Sequence, residues 1–341
     1  MELNQFRQEL KSRSLAGIYI LAGEEGYLIK YYLKSLREAL AIDPSFSVFN
    51  NPVYDGPEVD FGRIAEDVQS PPMMSDYKLI EWRHADFTVM KEKELEALEA
   101  LVSLTEEYPY SIVAFTADEE GFDFGTPKRP SEFIRRFGKI KTVRLDRSQE
   151  PQLVAWLKKH FDAEGIEVRE DTLRALIFRS GRSMDVLINE VKKLSAYAKQ
   201  NGKKAIDVAT VNEIASSTPE CDTFALSNAI VERNKQKAYL SLEELKNRRV
   251  DPAVIIGMLA RTFDDLVAVS SMMEEGMGAA DIGKALGLHS YKLQLYVQAA
   301  KRYRPGYLER VVQALARADA SSKYGGISGY TAIEIFISRA I

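Results

Sequence analysis

The turn from Gly23 to Lys30, which reads GEEGYLIK, is the stretch of the sequence whose residue types come closest to phosphate chemistry. Phosphate-binding loops follow the pattern G-x-x-x-x-G-K-[ST], in which backbone N–H groups surround the phosphates, the lysine neutralises them and the hydroxyl binds Mg²⁺. Counted from Gly23, Leu28 replaces the second glycine, Ile29 the lysine and Lys30 the hydroxyl residue. The turn therefore lacks the groups that would bind ATP·Mg²⁺.

Two carboxylates in the same turn also argue against a nucleotide. Glu24 and Glu25 place negative charge where the oxygens of a triphosphate would lie, at a helix N-terminus that otherwise suits anions. The sequence thus predicts a degenerate phosphate loop at Gly23, Glu24, Glu25 and Gly26, with no bound cofactor.

The remaining candidates for catalysis are weaker. Asp118 and Glu119 follow an apolar run, as Mg²⁺-binding acids do, but Thr116 and Ala117 intervene, which favours a solvated acidic loop. The single cysteine, Cys221, has no nucleophile motif around it and suits a buried structural role. The three histidines are far apart, without zinc spacing: His84, His160 and His289. No catalytic residue and no metal ligand is predicted.

A connector with two prolines and two methionines, Pro71 to Met74, is the strongest candidate for a binding surface. The prolines end the preceding helix and exclude a central strand, and connectors normally run over the surface. Methionine is flexible and polarisable, and it recurs on surfaces that insert into apolar pockets. From the residues alone, folding of Met73 and Met74 back onto the sheet edge is the favoured alternative, because half-buried apolar residues are common.

Strands and helices alternate in the part of the chain that would position these residues. Short apolar runs predict five strands, at 17–22, 46–54, 78–83, 111–116 and 139–145. Helical spacing predicts helices between them at 27–40, 59–68 and 91–104. Strands separated by helices indicate right-handed crossovers and a mainly parallel sheet, which is the pattern of an α/β domain.

After residue 145 the strand pattern stops and apolar residues recur at helical spacing. A proline-containing link at 217–220 separates two helical blocks. The second block has predicted helices at 221–232, 235–247, 251–274, 279–286, 290–303, 306–322 and 330–340. The sequence therefore predicts three domains: an α/β domain at 1–145, a small all-helical domain at 146–217 and a helical bundle at 218–341.

The overall composition narrows the possible functions. The chain of 341 residues has a formal net charge of -4, so it lacks the excess of lysine and arginine that is typical of a protein gripping duplex DNA alone. Its start does not have the layout of a signal peptide, and no apolar run approaches the roughly 20 residues that span a bilayer. A cytoplasmic protein with no membrane partner is predicted.

Seven motifs, taken in order, resemble one known family. They lie at 18–29, 72–80, 181–194, 222–230, 256–263, 285–291 and 318–325. Through them the chain resembles the bacterial DNA polymerase III delta subunit, the clamp loader delta family, across essentially its whole length. The resemblance implies an AAA+-like arrangement: a RecA-like domain without a functional phosphate loop, a small helical lid and a helical collar that oligomerises.

The resemblance also implies a function without catalysis of its own. The N-terminal domain would bind the ring-shaped sliding clamp (beta) and open it for loading onto primed DNA, and ATP-hydrolysing subunits outside this chain would regulate that step. The collar would meet the sister subunits tau/gamma and delta prime. With this implication, Pro72, Met73 and Met74 become the predicted clamp-binding residues, at a place where some family members use an aromatic residue.

Two other functions remain as alternatives. An active AAA+ ATPase would bind ATP tightly at the turn that begins with Gly23. An independent DNA-binding regulator built on the C-terminal helices would bind DNA with a salt-dependent affinity and without the clamp. The degenerate turn argues against the first alternative, and the acidic balance of the chain argues against the second.

Overall fold

The computed structural model of the protein describes residues 1–288, 290–302 and 306–341. They form two compact units, one with Met1–Ser148 and Ser183–Asp185, the other with Gln149–Arg182 and Val186–Ile341. The predicted division into three domains, at 1–145, 146–217 and 218–341, stays a prediction.

The first unit is a parallel sheet with helices on both faces. Its helices, apart from a 3₁₀ turn at Pro44–Phe46, are α1 (Leu3–Ser12), α2 (Gly26–Ala39), α3 (Ser47–Asn50), α4 (Phe61–Gln69), α5 (Glu92–Glu107) and α6 (Glu132–Arg136). Its strands are β1 (Gly17–Ala22), β2 (Val53–Asp55), β3 (Lys78–Arg83), β4 (Ser111–Ala117), β5 (Gly125–Thr126), β6 (Arg129–Pro130) and β7 (Lys141–Arg144).

Five of these strands form the main sheet in the order β2-β3-β4-β1-β7, and each neighbouring pair is parallel. β1 lies inside the sheet, with Tyr19 opposite Ala114 of β4 and Lys141 of β7. A parallel sheet covered on both faces needs strands that are apolar on both sides, and every residue of β4 is buried. The predicted α/β class with a mainly parallel sheet, followed by a helical region, is confirmed.

Side chains of β1 alternate between two apolar cores, as the two-residue period of a strand dictates. Ile18 and Ile20 join the core on the face covered by α4 and α5. Tyr19 and Leu21 join the core on the face covered by α1 and α2. Gly23 therefore follows a strand buried on both faces, at the carboxyl edge of the sheet, where the degenerate turn begins.

The predicted strand at 46–54 is wrong over most of its length. The chain forms the 3₁₀ turn and α3 there, and only Val53–Asp55 pairs in the sheet. The amide side chains of Asn50 and Asn51 bond to backbone carbonyl groups elsewhere in the unit, which gives this segment an alternative to strand pairing. Pro52 then keeps the preceding residue out of the helical conformation.

The second unit is helical apart from one short parallel ladder. Its helices are α7 (Glu150–Ala163), α8 (Glu170–Ser180), α9 (Met184–Gln200), α10 (Val208–Ile214), α11 (Pro219–Val231), α12 (Lys235–Asn247), α13 (Pro252–Glu274), α14 (Ala279–Leu286), α15 (Ser290–Ala300), α16 (Tyr307–Tyr324) and α17 (Gly329–Ala340). The first two residues of α9 belong to the first unit. The ladder pairs β8 (Glu167–Val168) with β9 (Ala205–Ile206), inside the segment predicted to be all-helical.

The long helix α13 lies at the centre of the core of the second unit. Leu259, Phe263 and Leu266 are buried along one of its faces, at the three- and four-residue steps of an amphipathic helix. Tyr296 of α15 and Phe336 of α17 belong to the same core. In the described part of the chain, no helix combines the length and the apolar content that crossing a membrane needs.

Candidate functional site

Gly23 directly follows β1 in a conformation that glycine adopts far more readily than other residues, with a φ of 142°. A Cβ at this position would lie 2.5 Å from the carbonyl oxygen of Leu145. The N–H of Glu25 donates to that same carbonyl (3.0 Å), and the N–H of Leu145 donates to the carbonyl of Ala22 (2.8 Å). Close packing against Leu145 therefore accounts for Gly23 without a bound phosphate.

Glu25 caps the N-terminus of α2 with its own side chain. Its Oε1 accepts from the N–H of Tyr27 (3.4 Å), and its Oε2 accepts from the N–H of Met184, the first residue of α9 (3.4 Å). The side chain is buried, and burial raises the pKa of Glu25. An internal carboxylate thus occupies the helix N-terminus at which a phosphate would bind. The neighbouring Glu24 pairs with Arg147 at 3.2 Å.

A cleft of about 550 Å³ adjoins this turn. The cationic side chains that line it are already engaged with carboxylates. Lys30 pairs with Asp185 at 3.2 Å, and the guanidinium groups of Arg37 and Arg83 both contact Glu81. The cleft therefore differs from a triphosphate site in that Ile29 stands at the position of the motif's lysine, while the nearby Lys30 forms an exposed ion pair.

The acid and the histidine nearest the cleft have local structural contacts. Asp118 accepts a hydrogen bond from the N–H of Gly121 (2.8 Å), so its carboxylate stabilises the turn after β4. Nδ1 of His84 lies 3.1 Å from a carboxylate oxygen of Asp55 at the surface. Neither arrangement brings an acid pair together in the manner of a Mg²⁺ site.

The other residues considered for chemistry are also accounted for locally. Nδ1 of His160 lies 2.8 Å from the carbonyl oxygen of Trp156, one helical turn earlier. Cys221 is half-buried, which differs from the buried role expected for it, and this burial raises the pKa of its thiol to about 11, so the thiol is protonated at neutral pH. His289 lies outside the described residues. Within the three described ranges, no group of three His, Cys, Asp or Glu side chains is placed to hold a metal ion.

The connector between α4 and β3 presents its methionines to solvent. Met73 is 42% exposed and Met74 is 83% exposed, while Pro72 is half-buried. Met74 also has a φ of 51°, in the left-handed region that costs a residue with a Cβ about 1–2 kcal/mol. Both side chains are therefore exposed, contrary to the alternative in which they fold back onto the sheet edge.

Asn50 fixes the methionine end of this connector. Its Nδ2 donates to the carbonyl oxygen of Met73 (2.7 Å), and its Oδ1 accepts from the N–H of Met73 (2.7 Å). The two residues before Asn50 on α3 are exposed apolar side chains, with Val48 at 82% and Phe49 at 53% exposure. We call Val48, Phe49, Met73 and Met74 the apolar tip.

The other end of the connector is fixed at the last turn of α4. Ser70 accepts a hydrogen bond from Nζ of the buried Lys78 (3.0 Å). The hydroxyl of Tyr110 donates to the carbonyl of Gln69 (3.1 Å), and Ser111 donates to the carbonyl of Val68 (2.9 Å). Tyr110 and Ser111 thereby satisfy two of the carbonyl groups that a helix end leaves without partners. The connector is therefore a short segment held on both sides.

Two family models match the chain, and both describe the same subunit. The model of the DNA polymerase III delta subunit matches residues 19–120, which include the degenerate turn and the methionine connector. The model of the C-terminal domain of the DNA polymerase III delta subunit matches residues 220–340. The chain belongs to the DNA polymerase III delta subunit family. The identification made from the motifs is thereby confirmed.

Relatives within the delta subunit family match over most of their length. The DNA polymerase III subunit delta of Bacillus subtilis is 21% identical, over 98% of this chain and 95% of that protein. The probable DNA polymerase III subunit delta of Aquifex aeolicus is 24% identical, over 90% of this chain and 86% of that protein. The solved structure of the Bacillus subtilis DNA clamp loader delta protein superposes with a TM-score of 0.53 at 19% identity, over 99% and 98% of the two chains. That likeness supports the fold.

The candidate site contains residues that sequence reasoning did not identify. Asn50, Val48 and Phe49 were included in a predicted strand, where they gave no sign of a surface role. The available signal was the run of two asparagines before Pro52, which is typical of a helix end or a turn. It indicates a break in the strand but gives no information on the partner of either amide.

Proposed function

We propose that this chain is the clamp-binding and ring-opening subunit of a bacterial clamp loader, and that it acts without hydrolysing ATP. The observation that carries the proposal is the exposure of Met74 beside Met73, on a connector held at both ends, in a chain of the delta subunit family. The chain would then serve a DNA polymerase III complex in the cytoplasm as a non-catalytic part of that nucleotidyltransferase.

Binding to the sliding clamp follows from the chemistry of the apolar tip. Met73 and Met74, oriented by Pro72, insert into an apolar pocket of the clamp as anchor residues. Interface anchors of this kind each cost about 1–3 kcal/mol when they are truncated to alanine. Exposed apolar side chains that are held in place suit this role, because less conformational entropy is lost on binding.

Ring opening requires a preference between two states of the clamp. A ligand shifts a conformational equilibrium only by the difference between its affinities for the two states. The subunit therefore opens one interface of the ring if the open conformation accepts the apolar tip better than the closed one does. No bond-making chemistry is needed in this chain for that step.

The turn at the end of β1 supports the absence of ATP hydrolysis in this proposal. Glu25 caps α2 internally, and Glu24 is paired with Arg147. ATP would have to displace a buried carboxylate, and the turn has Ile29 at the position of the motif's lysine and Lys30 at the position of its Mg²⁺-binding hydroxyl. Hydrolysis is instead assigned to sister subunits of the tau/gamma type, which meet this chain and delta prime through the C-terminal helices, around primed DNA.

The proposal is tested by measuring the affinity of the full chain for the purified cognate sliding clamp by surface plasmon resonance. The variant Met73→Ala/Met74→Ala should bind at least about tenfold more weakly than the wild type. Val89→Ala is the matched control, because Val89 is an exposed aliphatic residue of the same unit outside the tip. Equal affinities of the wild type and the methionine variant for the clamp would contradict the proposed site. Tight binding of ATP to the chain in calorimetry would contradict the proposal that only the sister subunits hydrolyse ATP.

A further inference from the structure

The side chain of Asn50 contacts the backbone of Met73 in the way that a neighbouring strand would. It donates to the carbonyl oxygen and accepts from the N–H of one and the same residue, both at 2.7 Å. Asn50 is fully buried, and both bonds to the more exposed Met73 are partly buried. We propose that Asn50 is a positioning residue, which holds the two methionines in their binding conformation and thereby sets the affinity for the sliding clamp. This inference rests on the proposed clamp-binding function.

The chemistry of this contact is specific to an asparagine. A primary amide carries one acceptor and one donor group in a single plane, which matches the N–H and C=O of a single backbone residue. An aspartate at position 50 has no donor, and an alanine has neither group. In both cases a backbone group of Met73 would lose its partner, and that loss costs most where water has little access.

Met74 explains why the connector needs such support. Its φ of 51° is a conformation that residues with a Cβ avoid, and strained backbone of this kind persists only when the surroundings fix it. The Asn50 amide fixes the residue directly before it. Released from Asn50, the connector would sample other conformations, and the methionines would have to be ordered again at each binding event.

The side chain of Asn50 also connects the two halves of the apolar tip. Phe49 and Val48 precede it on α3, so the same amide that holds Met73 fixes α3 against the connector. A change at Asn50 would therefore disturb the tip while leaving all four of its apolar side chains in the sequence. This separates the role of Asn50 from that of the anchors themselves.

The test compares Asn50→Ala with Asn51→Ala in the full chain. Asn51 is the matched control, because its Nδ2 donates to the carbonyl of Leu79 (2.9 Å) and to Glu81 (3.0 Å) and not to the connector. Affinity for the purified clamp and thermal unfolding are measured for both. We expect Asn50→Ala to weaken clamp binding about tenfold or more, and Asn51→Ala to change it by about twofold or less, although both lower the unfolding temperature.

Two further measurements identify positioning as the cause. Amide hydrogen exchange at Met73 should accelerate in Asn50→Ala and not in Asn51→Ala, without any clamp present. In the Met73→Ala/Met74→Ala background, Asn50→Ala should cause no further loss of affinity, because no anchors are left to position.

The outcomes separate this inference from the proposed function. Wild-type affinity of Asn50→Ala, or equal losses in Asn50→Ala and Asn51→Ala, would overturn the inference alone if the methionine variant binds weakly. Wild-type affinity of the methionine variant itself would overturn both.

Discussion

Glu81 of β3 and Arg37 of α2 form a doubly hydrogen-bonded ion pair, in which Nε and Nη2 lie 2.5 and 2.7 Å from the two carboxylate oxygens. Arg83 and Asn51 donate to the same carboxylate, which is fully buried. The pair connects the helix that follows the degenerate turn to the strand that follows the methionine connector. It therefore joins the region of the degenerate turn to the region proposed to bind the clamp.

We expect the ionisation of Glu81 to make the free energy of unfolding depend on pH. Burial acts to raise the pKa of Glu81, but the hydrogen bonds from Arg37, Arg83 and Asn51 outweigh it, so the pKa lies below its ordinary value. A depressed pKa contributes stability above the unfolded value of about 4.3, and this contribution is lost as the pH falls through the folded value. Glu81→Gln should therefore cost about 1–3 kcal/mol near pH 7 and less in acid.

Urea unfolding of wild type and Glu81→Gln at pH 7 and at a pH below the ordinary glutamate pKa checks this prediction. Glu38→Gln is the control, because Glu38 makes an exposed pair with Lys34 on α2 and such pairs contribute little. A difference between wild type and Glu81→Gln that stays constant with pH would contradict the assigned electrostatic role.

We expect Gly23 to be needed for the stability of the fold, through its packing against Leu145, and not for nucleotide binding. Gly23→Ala places a Cβ 2.5 Å from the Leu145 oxygen, whereas Gly17, with a φ of 75°, has nothing within 4 Å of its ideal Cβ. Both substitutions strain the backbone, but only the first also creates a clash. Gly23→Ala should thus lower the free energy of unfolding by about 2 kcal/mol more than Gly17→Ala does. Equal losses in chemical denaturation would show that the contact with Leu145 is not limiting.

We expect the contribution of Glu25 to stability to change with pH in the direction opposite to that of Glu81. Burial raises the pKa of Glu25, so the folded state binds its proton more tightly than the unfolded state. The stability contributed by this group is full below about pH 4.3 and is lost as the pH rises through the folded pKa. Compared with Glu25→Gln, the wild type should therefore lose stability on going from acid to neutral pH. Unfolding curves of the two proteins that keep a constant separation across that range would refute this.

The fold could be predicted where periodicity alone determines it. The buried strand β1 reads as a continuous apolar run, and helices α12 and α14 begin and end at the residues that their apolar spacing indicates. The segment 46–54 could not be predicted in this way, because Val48 and Phe49 look like strand residues while the bond that decides their placement joins Asn50 to a residue 23 positions later. Local propensity carries no information about that partner.

The same limit applies to the candidate site. The replacement of the required groups of the phosphate loop is read directly from the sequence, because the motif is contiguous and each required residue type is known. The exposure of Met74 was predicted only through the family resemblance, and the residue types alone favoured the opposite, because the exposure depends on supports at both ends of the connector that come from α3, β3 and the start of β4. A binding surface assembled from several elements is visible only after the chain has folded.

We expect the left-handed backbone conformation of Met74, in the proposed site, to lower the stability of the fold. Glycine adopts a φ of 51° without the penalty that a Cβ imposes, so Met74→Gly should unfold with a free energy about 1 kcal/mol higher than Met74→Ala. At Met73, whose φ is not positive, glycine should instead be the less stable of the two substitutions, because it gains more freedom in the unfolded chain.

Both substitutions at Met74 remove the anchor and should weaken clamp binding about tenfold or more. Denaturant unfolding and clamp affinity, measured on the same preparations of Met74→Gly and Met74→Ala, should then show a difference in stability between the two variants and a similar loss of affinity in both. If Met74→Gly is no more stable than Met74→Ala, the left-handed backbone at this position is not strained, and the anchor is held at no cost to the fold.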